Sequence, residues 1–266
     1  MSTPLHPAMK KMVFRNTNRR LGRYISVKPG NSTNRHLSYG RIILSRSTPS
    51  VSFGARDRET GLICLSGSCK VHVDGESFQF AQYDSIYLPR GSKIEVRTEA
   101  AADVAEFSAD VENRYPLRFV PYQDVEKDPA LKFSAGGPGT ARQVSVCLGK
   151  NVEAGRLLLG FTTSEPGNWT SWPPHEHAAM LEEMYVFFDM PQPAYGIQLV
   201  YVNPESPQLV TVVRDGDAVL MPAGYHPNVS VPGHRIKYLW GMAAQREKED
   251  RRYGVVNVEP DFAGPK

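Results

Sequence analysis

The sequence contains no apolar run that approaches the roughly 20 residues of a membrane-spanning helix, and its polar, basic start lacks the apolar core of a secretory signal. Cysteine is scarce, and Cys64, Cys69 and Cys147 can neither all pair within the chain nor match a zinc motif. Positive and negative charges are nearly balanced: the chain contains 31 Lys and Arg residues and 28 Asp and Glu residues, which gives a formal net charge of +3. We therefore expect a cytoplasmic protein with reduced thiols and with neither a membrane nor a nucleic-acid partner.

The first two dozen residues depart from this even distribution of charge, because they are locally basic. An arm that binds nucleic acid would be expected to carry aromatic residues for base stacking, and no such pattern is present. The segment is therefore expected to be solvated or to dock on a neighbouring subunit. Its basic residues are Lys10, Lys11, Arg15, Arg19, Arg20 and Arg23.

Short apolar runs separated by Gly, Pro, Asn and Asp recur along most of the 266 residues, and stretches of helical period are few. Residues 71–78 alternate between apolar and polar side chains around Asp74-Gly75, which is a strong signal for a β-hairpin. Many short strands with frequent turns predict an all-β sandwich or barrel.

The two halves of the chain share one strand-to-turn unit. Residues 83–91 and 214–224 both run from an Asp through small or apolar residues to a Pro-x-Gly turn, which predicts two copies of one barrel. The first copy has no histidine after its turn and is interpreted as structural. The predicted divisions are a basic segment at 1–22, a first barrel without metal ligands at 23–115, a linker at 116–145, a metal-binding barrel at 146–250 and a tail at 251–266.

Three histidines and a carboxylate in the second half have the spacing of a metal site. His175 and His177 are one residue apart, and on a strand such residues face the same side, so both imidazoles can reach one ion. Glu183 follows shortly after, and His226 comes behind the second Pro-x-Gly turn. A His-x-His pair alone can equally lie on a surface loop, but all four residues in strand-like sequence favour a ligand set. Three nitrogens and one oxygen suit Zn, Fe, Mn, Ni or Co and leave room for water or substrate.

This ligand set resembles the metal motif of the cupins, and the finer similarity is to the bicupin family of uronate isomerases. Residues 166–177 resemble the family's ligand segment, and 222–227 are similar to the arm with 5-deoxy-glucuronate isomerase, of inositol catabolism. Residues 73–93 and 240–242 are closer to the arm with 5-dehydro-4-deoxy-glucuronate isomerase, of pectin and uronate catabolism. The resemblance covers nearly the whole chain beyond the basic segment. It implies two tandem cupin barrels, each a double-stranded β-helix or jelly roll.

The spacing alone does not choose between two adjacent carboxylates, Glu182 and Glu183, as the oxygen ligand. We favour Glu183, because the ligand in the resembling family directly precedes an x-Tyr-aromatic strand, here residues 184–187. Glu183 also shares the parity of Tyr185 and Phe187, so on a regular strand the three side chains face together. Glu182 is then either a solvated neighbour or a group that carries a proton.

The resemblance further implies an aldose–ketose isomerase that acts on a deoxyuronate through an enediol. A divalent metal would hold the substrate oxygens, and a nearby base would carry the proton. Arg142 falls where the family carries an arginine ahead of the second barrel, and it is the predicted clamp for the substrate carboxylate, with a surface arginine on a linker as the alternative. Trp172 and Tyr185 are the other predicted substrate contacts, although such aromatics often serve packing.

The catalytic acid or base is chosen only by proximity in sequence. Tyr225 and Glu182 are selected from a group that also contains Tyr185 and Glu176.

Zinc is the preferred ion, with Mn, Fe, Ni and Co as alternatives, because cellular availability decides among them. The preferred activity is 5-deoxy-glucuronate isomerase, with the pectin-arm isomerase as the close alternative. A cupin dioxygenase and a non-enzymatic sugar-binding cupin are the alternatives from other classes. Family members associate, so a homo-oligomer is expected.

Overall fold

The computed structural model describes residues 12–264, so Lys10 and Lys11 of the basic segment lie outside the described residues. Within this range the regular structure consists of strands, one short α-helix and one 3₁₀ helix. None of the helices between residues 12 and 264 has the length and apolarity that crossing a membrane requires.

The first half of the chain forms two antiparallel sheets around one apolar core. A six-stranded sheet has the order β11-β8-β5-β10-β3-β2, and a four-stranded sheet has the order β4-β9-β6-β7. We call β2 to β11 the N-terminal barrel. The strand bounds are β1 Val13–Phe14, β2 Gly22–Val27, β3 Ser38–Ser45, β4 Ser50–Gly54, β5 Arg58–Gly67, β6 Cys69–Val73, β7 Glu76–Phe80, β8 Ser85–Leu88, β9 Lys93–Arg97, β10 Ala101–Asp110 and β11 Arg118–Val120.

The second half repeats this plan. A seven-stranded sheet has the order β1-β20-β17-β22-β14-β13-β12, and a four-stranded sheet has the order β15-β21-β18-β19, with a separate pair β16-β23. We call β12 to β22 the C-terminal barrel. The bounds are α1 Tyr122–Lys127, β12 Lys132–Ala135, β13 Arg142–Leu148, β14 Leu157–Ser164, β15 Trp169–Thr170, β16 His175–Glu176, β17 Leu181–Phe187, β18 Gly196–Val200, β19 Leu209–Val213, β20 Ala218–Met221, β21 Asn228–Ser230, β22 Lys237–Ala244, β23 Asn257–Val258 and the 3₁₀ helix Pro260–Phe262.

The two barrels pack back to back, and β5 and β10 are buried on both faces. Leu62 and Val104 point into the N-terminal barrel, whereas Ile63 and Phe107 join the core that is shared with the C-terminal barrel. This double burial explains the unbroken apolar run of β5, where a strand with one solvated face would alternate. The approach is close, since a Cβ at Gly241 would overlap the Phe107 ring.

The segments at 1–22 and 116–145 are integrated into the sheets where they are described. Within 116–145, β11 pairs with β8 of the N-terminal barrel, and β12 pairs with β13 of the C-terminal barrel. The described part of the basic segment lies on the C-terminal barrel of the same chain, where β1 pairs with β20. Arg15 forms an ion pair with Asp217 at 2.6 Å, and Thr17 donates a hydrogen bond to the carbonyl of Gly216.

Strand registers show that the barrels are copies of one unit. Thr60 on β5 pairs with Leu88, which stands immediately before the first Pro-x-Gly turn. Glu183 on β17 pairs with Met221, which stands immediately before the second Pro-x-Gly turn. Thr60 therefore occupies, in the N-terminal barrel, the position that Glu183 occupies in the C-terminal barrel.

The residue before each of these positions is a glutamate that binds backbone of the opposite barrel. Glu182 accepts hydrogen bonds of 2.5–3.0 Å from the N–H groups of residues 35–37, which lead into β3. Glu59 accepts hydrogen bonds of 2.6–2.8 Å from the N–H groups of residues 155–157, which lead into β14. Both carboxylates are buried. This reciprocal exchange ties the barrels together and satisfies N–H groups that would otherwise be buried without partners.

Replacing Glu182 by glutamine is expected to lower the free energy of unfolding by about 1–3 kcal/mol, because the amide group would face three backbone donors that need an acceptor. Urea unfolding followed by circular dichroism measures this difference. Glu205→Gln, at an exposed loop position, is the matched control and should change stability little. Unchanged stability of the Glu182 variant together with lost turnover would instead support a role in proton transfer.

Candidate active site

The structure brings the three predicted histidines together at the mouth of the C-terminal barrel. His175 lies on β16, His177 follows that strand, and His226 lies between the second Pro-x-Gly turn and β21. One ring nitrogen from each histidine lies within 4.8 Å of the corresponding nitrogens of the other two. Residues from separate strands thus converge on a single point, as metal ligands do.

Glu183 completes the cluster from β17. Its Oε2 lies 2.8 Å from His177 Nε2 and 3.0 Å from His226 Nε2. Nevertheless, Oε2 and both Nε2 atoms are buried and have no hydrogen-bond partner of acceptable geometry among the described residues. Buried polar atoms are normally satisfied, so atoms that approach each other without aligned hydrogen bonds fit a shared cation better than a hydrogen-bond network.

Carbonyl groups orient two of the imidazoles. His175 Nδ1 lies 2.9 Å from the carbonyl oxygen of Pro173, and His226 Nδ1 lies 3.0 Å from that of Gly224. When Nδ1–H donates to a carbonyl, Nε2 carries the lone pair and faces the cluster, which is the usual arrangement of histidine ligands.

The charges of the cluster depend on each other. Burial by itself would raise the pKa of the Glu183 carboxyl, but the adjacent His177 and His226 imidazoles hold that pKa well below its usual range. Burial, reinforced by His226, lowers the pKa of His175 to about 4. At neutral pH the site therefore offers a carboxylate and a neutral His175 nitrogen, both in the protonation states that bind cations.

A pocket of about 270 Å³ opens from this cluster. Arg142 lies in its wall and donates hydrogen bonds to the carbonyls of Thr140 at 3.0 Å and Trp172 at 2.8 Å. No carboxylate among residues 12–264 forms an ion pair with this guanidinium. In the same pocket, the hydroxyl of Tyr185 lies 2.6 Å from that of Ser171. The pocket thus combines a cation-type site, a guanidinium and hydroxyl groups, which suits a small hydroxylated anion.

The C-terminal tail covers one side of this pocket. Strand β23 pairs with β16, so residues 253–258 lie against the histidine segment. Tyr253 stacks on Trp240 with ring centroids 5.2 Å apart, and the Tyr201 hydroxyl donates to Glu259 at 2.6 Å. The tail is therefore anchored on both sides of the pocket and forms part of its wall.

Three of the five residues predicted to bind or convert substrate line the pocket, namely Arg142, Trp172 and Tyr185. The structure does not bring Glu182 there, because its side chain faces the N-terminal barrel on the opposite side of β17. Tyr225 does not line the pocket either and instead packs against Tyr201, with ring centroids 5.7 Å apart. Proximity in sequence does not decide which residues share the pocket, because neighbouring residues on a strand point to opposite faces.

Several pocket residues were not predicted from the sequence. Tyr238, Trp240 and Met242 alternate along β22 and face the pocket, so their period of two was an available signal. The tail residues carried no such signal, because their position depends on how the end of the chain returns to the barrel. The added lining residues include Ser171, Tyr238, Trp240, Met242, Tyr253, Val255, Val256 and Val258.

Solved structures share this fold. An IolB-like protein from Salmonella typhimurium LT2 matches with a TM-score of 0.83 at 23% identity, over 95% of this chain and 98% of that chain. A cupin 2 conserved barrel domain protein from Leptotrichia buccalis matches with a TM-score of 0.51 at 10% identity, over 84% and 88% of the two chains. The fold and the site define a bicupin whose second barrel carries a three-histidine cluster, and the predicted fold class is confirmed.

The chain belongs to the KduI/IolB family, whose model matches residues 12–262. It is 30% identical over 205 residues to a 5-deoxy-glucuronate isomerase from Geobacillus kaustophilus, covering 71% of this chain and 72% of the relative. It is 29% identical over 200 residues to a 4-deoxy-L-threo-5-hexosulose-uronate ketol-isomerase from Lachnospira eligens, covering 73% and 70%. The predicted family and the predicted enzyme class, an isomerase, are confirmed. The cupin fold and the histidine cluster indicate a divalent metal ion.

Proposed function

We propose that this protein is a metal-dependent aldose–ketose isomerase of a deoxyuronate, with 5-deoxy-glucuronate as its substrate. The observation that carries the proposal is the placement of the Arg142 guanidinium in the same pocket as the histidine cluster. A deoxyuronate carries a carboxylate at one end and a carbonyl beside a hydroxyl at the other. The pocket has a group suited to each end, and relatives named as isomerases of both deoxyuronates share the family.

His175, His177, Glu183 and His226 would hold the metal ion, with zinc as the preferred ion. When bound, a divalent ion supplies Lewis-acid stabilisation of the oxyanion that develops on the enediol. The carbonyls that bind Nδ1 of His175 and His226 keep the coordinating nitrogens oriented before substrate arrives. The tail and the aromatic residues around the pocket exclude water from the reacting carbons.

Arg142 would bind the substrate carboxylate and orient the sugar chain. Its hydrogen bonds to two carbonyls leave part of the guanidinium fork for a ligand, and charge-assisted hydrogen bonds to a carboxylate are strong. Burial, together with the charge of Glu183, raises the pKa of Tyr185 well above its usual value, so its hydroxyl stays protonated. Tyr185 would therefore donate a hydrogen bond or a proton to a substrate oxygen.

The choice of 5-deoxy-glucuronate over the pectin-derived uronate rests on residues 222–227, the segment around His226 that is similar to the inositol arm. The two reactions are chemically parallel, so the pocket alone supports both.

Proton NMR of 5-deoxy-glucuronate with the metal-loaded enzyme in D2O tests the proposed function. Conversion to the keto acid that stops on chelation and resumes on adding metal is the expected result. Conversion of the pectin-derived uronate alone would replace the proposed substrate by the alternative. Oxygen consumption with a catechol-type substrate, and no isomerisation of either uronate, would favour a cupin dioxygenase. A metal-loaded protein that binds both uronates and converts neither would favour a sugar-binding cupin.

Replacing Tyr185 by phenylalanine is expected to lower kcat by about 10²- to 10⁴-fold, because a positioned proton donor contributes this much. Metal content should not change, since the hydroxyl contacts Ser171 and is not part of the histidine cluster. Tyr238→Phe is the matched control, because its hydroxyl lies in the same pocket but donates to Thr170, and it should lower kcat far less. Equal effects of the two substitutions would point to packing as the role of Tyr185.

We also propose a cytoplasmic location and a homo-oligomeric state. The three cysteines are free and buried, which is typical of proteins in a reducing compartment. The oligomeric state follows from the resemblance to associating family members, and light scattering after size-exclusion chromatography tests it.

A further inference from the structure

The N-terminal barrel has its own pocket, of about 660 Å³, at the mouth that corresponds to the metal site. Thr60, which stands at the position of Glu183, lines it together with Ser38 and Ser108. Thr60 lies two residues from Leu62 on β5, and Ser108 lies four residues from Val104 on β10, so each pair points to the same face of its strand. The side chains of Leu62 and Val104 fill the core of the N-terminal barrel. The duplicated fold thus contains a second mouth in which hydroxyl groups take the place of metal ligands.

The charge of this pocket is strongly positive. Its lining contains four cationic side chains and a single carboxylate, Glu106. Arg23 neutralises that carboxylate through two hydrogen bonds of 2.6 and 2.7 Å. Lys28, Arg56 and Arg58 remain without an opposing carboxylate in the pocket lining. A ligand that complements this field must be an anion.

Arg58 is the cation placed to bind such an anion. Its guanidinium is partly buried and donates only to neutral groups, including the carbonyl of His36 at 2.5 Å and the hydroxyl of Ser38 at 2.9 Å. Nη1 has no hydrogen-bond partner among the described residues, and no carboxylate in that part of the chain forms an ion pair with the side chain. Burial lowers the pKa of this guanidinium, although the charges of nearby carboxylates, Asp110 first among them, act in the opposite direction.

Thr60 supplies a third hydroxyl group at the mouth. The residue as a whole is only 2% exposed, and it lines the pocket beside Ser38 and Ser108. A hydroxyl in such a lining can both donate to and accept from a hydroxylated ligand. Three hydroxyls around a guanidinium that forms no ion pair within the described chain fit a carboxylate ligand that itself carries hydroxyl groups.

We propose that the mouth of the N-terminal barrel binds a small hydroxylated carboxylate, a sugar acid of about the size of a hexuronate. Its carboxylate lies against Arg58, and its hydroxyls bond to Ser38, Thr60 and Ser108. The pocket volume is in the range of small-molecule sites. The proposal does not depend on the isomerase activity, since no residue of the metal site takes part.

Isothermal titration calorimetry with D-glucuronate tests the proposal in an Arg142→Met/His226→Ala background, which removes the proposed carboxylate clamp and one ligand of the metal site. We expect saturable binding near one site per chain, weakened at least about tenfold by Arg58→Gln, since this loss corresponds to one charge-assisted hydrogen bond. Thr60→Val, which keeps the shape of the side chain, should also weaken binding. Arg118→Gln, at an exposed position on β11, is the matched control and should leave binding unchanged.

D-glucose and inorganic phosphate distinguish the ligand chemistry on the same protein. Absence of glucose binding and phosphate affinity at least about tenfold below that of glucuronate support a sugar-acid site. Phosphate binding as tight as glucuronate binding would overturn it in favour of a simple oxyanion site. Absence of glucuronate binding in the Arg142→Met/His226→Ala background would also overturn it. So would binding by the Arg58→Gln and Thr60→Val variants that is as tight as binding by that background protein. If Arg58→Gln does not fold, the near-isosteric Thr60→Val variant decides.

Discussion

His226→Ala is expected to lose stoichiometric metal and to lower turnover by about 10³-fold or more, because a metal centre contributes several kcal/mol to transition-state stabilisation. His226 is buried, and its Nε2 faces Glu183 at 3.0 Å rather than a hydrogen-bond partner. Removing this imidazole takes away one of the three nitrogens that converge in the histidine cluster. The remaining ligands come from a single segment and one strand, which hold an ion less firmly.

Elemental analysis of the purified variant, followed by turnover assays after reloading with zinc or manganese, measures the effect. His234→Ala is the matched control, since no side-chain hydrogen bond of His234 is present in residues 12–264 and the residue lies away from the pocket. Circular dichroism should show that both variants remain folded, because the barrel core does not include these imidazoles. Full metal content and full activity of the His226 variant would show that the ligand set is wrong.

Arg142→Met is expected to reduce kcat/KM for a deoxyuronate by about 30-fold or more, since removing one partner of a buried charge-assisted contact costs at least about 2 kcal/mol. The guanidinium has no ion pair within the described chain, so its charge is available to a substrate carboxylate. Most of the loss should appear in KM, because the carboxylate is present in both the ground state and the transition state. Arg142→Lys should recover only part of the activity, since an ammonium cannot reproduce the planar fork.

A neutral analogue separates binding of charge from support of the pocket wall. If Arg142 clamps the carboxylate, the wild type should prefer the uronate over the same sugar with its carboxylate reduced to an alcohol, and Arg142→Met should lose that preference. Arg46→Met, at an exposed position of the N-terminal barrel, provides the control for loss of a positive charge. Equal losses for both substrates would indicate that Arg142 acts only by holding the carbonyls of Thr140 and Trp172.

The local pattern of the sequence was sufficient to predict the all-β fold and its duplication. Alternation has a period of two, and turn residues mark strand ends, so both signals are written in neighbouring residues. Because residues two apart on a strand point to the same face, the sequence also predicted that His175 and His177 face one side. For the same reason it favoured Glu183, which lies two residues before Tyr185, as the oxygen ligand. In the structure Glu183 does face the histidines, and Tyr185 does line the same pocket.

Contacts between distant segments could not be derived in this way. Glu182 is a neighbour of Glu183 in sequence, yet the packing of the two barrels directs it to the N–H groups of residues 35–37. The tail closes the pocket only because β23 pairs with β16, about eighty residues earlier in the chain. The sequence by itself determined which residues share a face, because that follows from strand geometry. Only the tertiary structure decided which faces meet, because that depends on how two barrels and a tail bury their surfaces together.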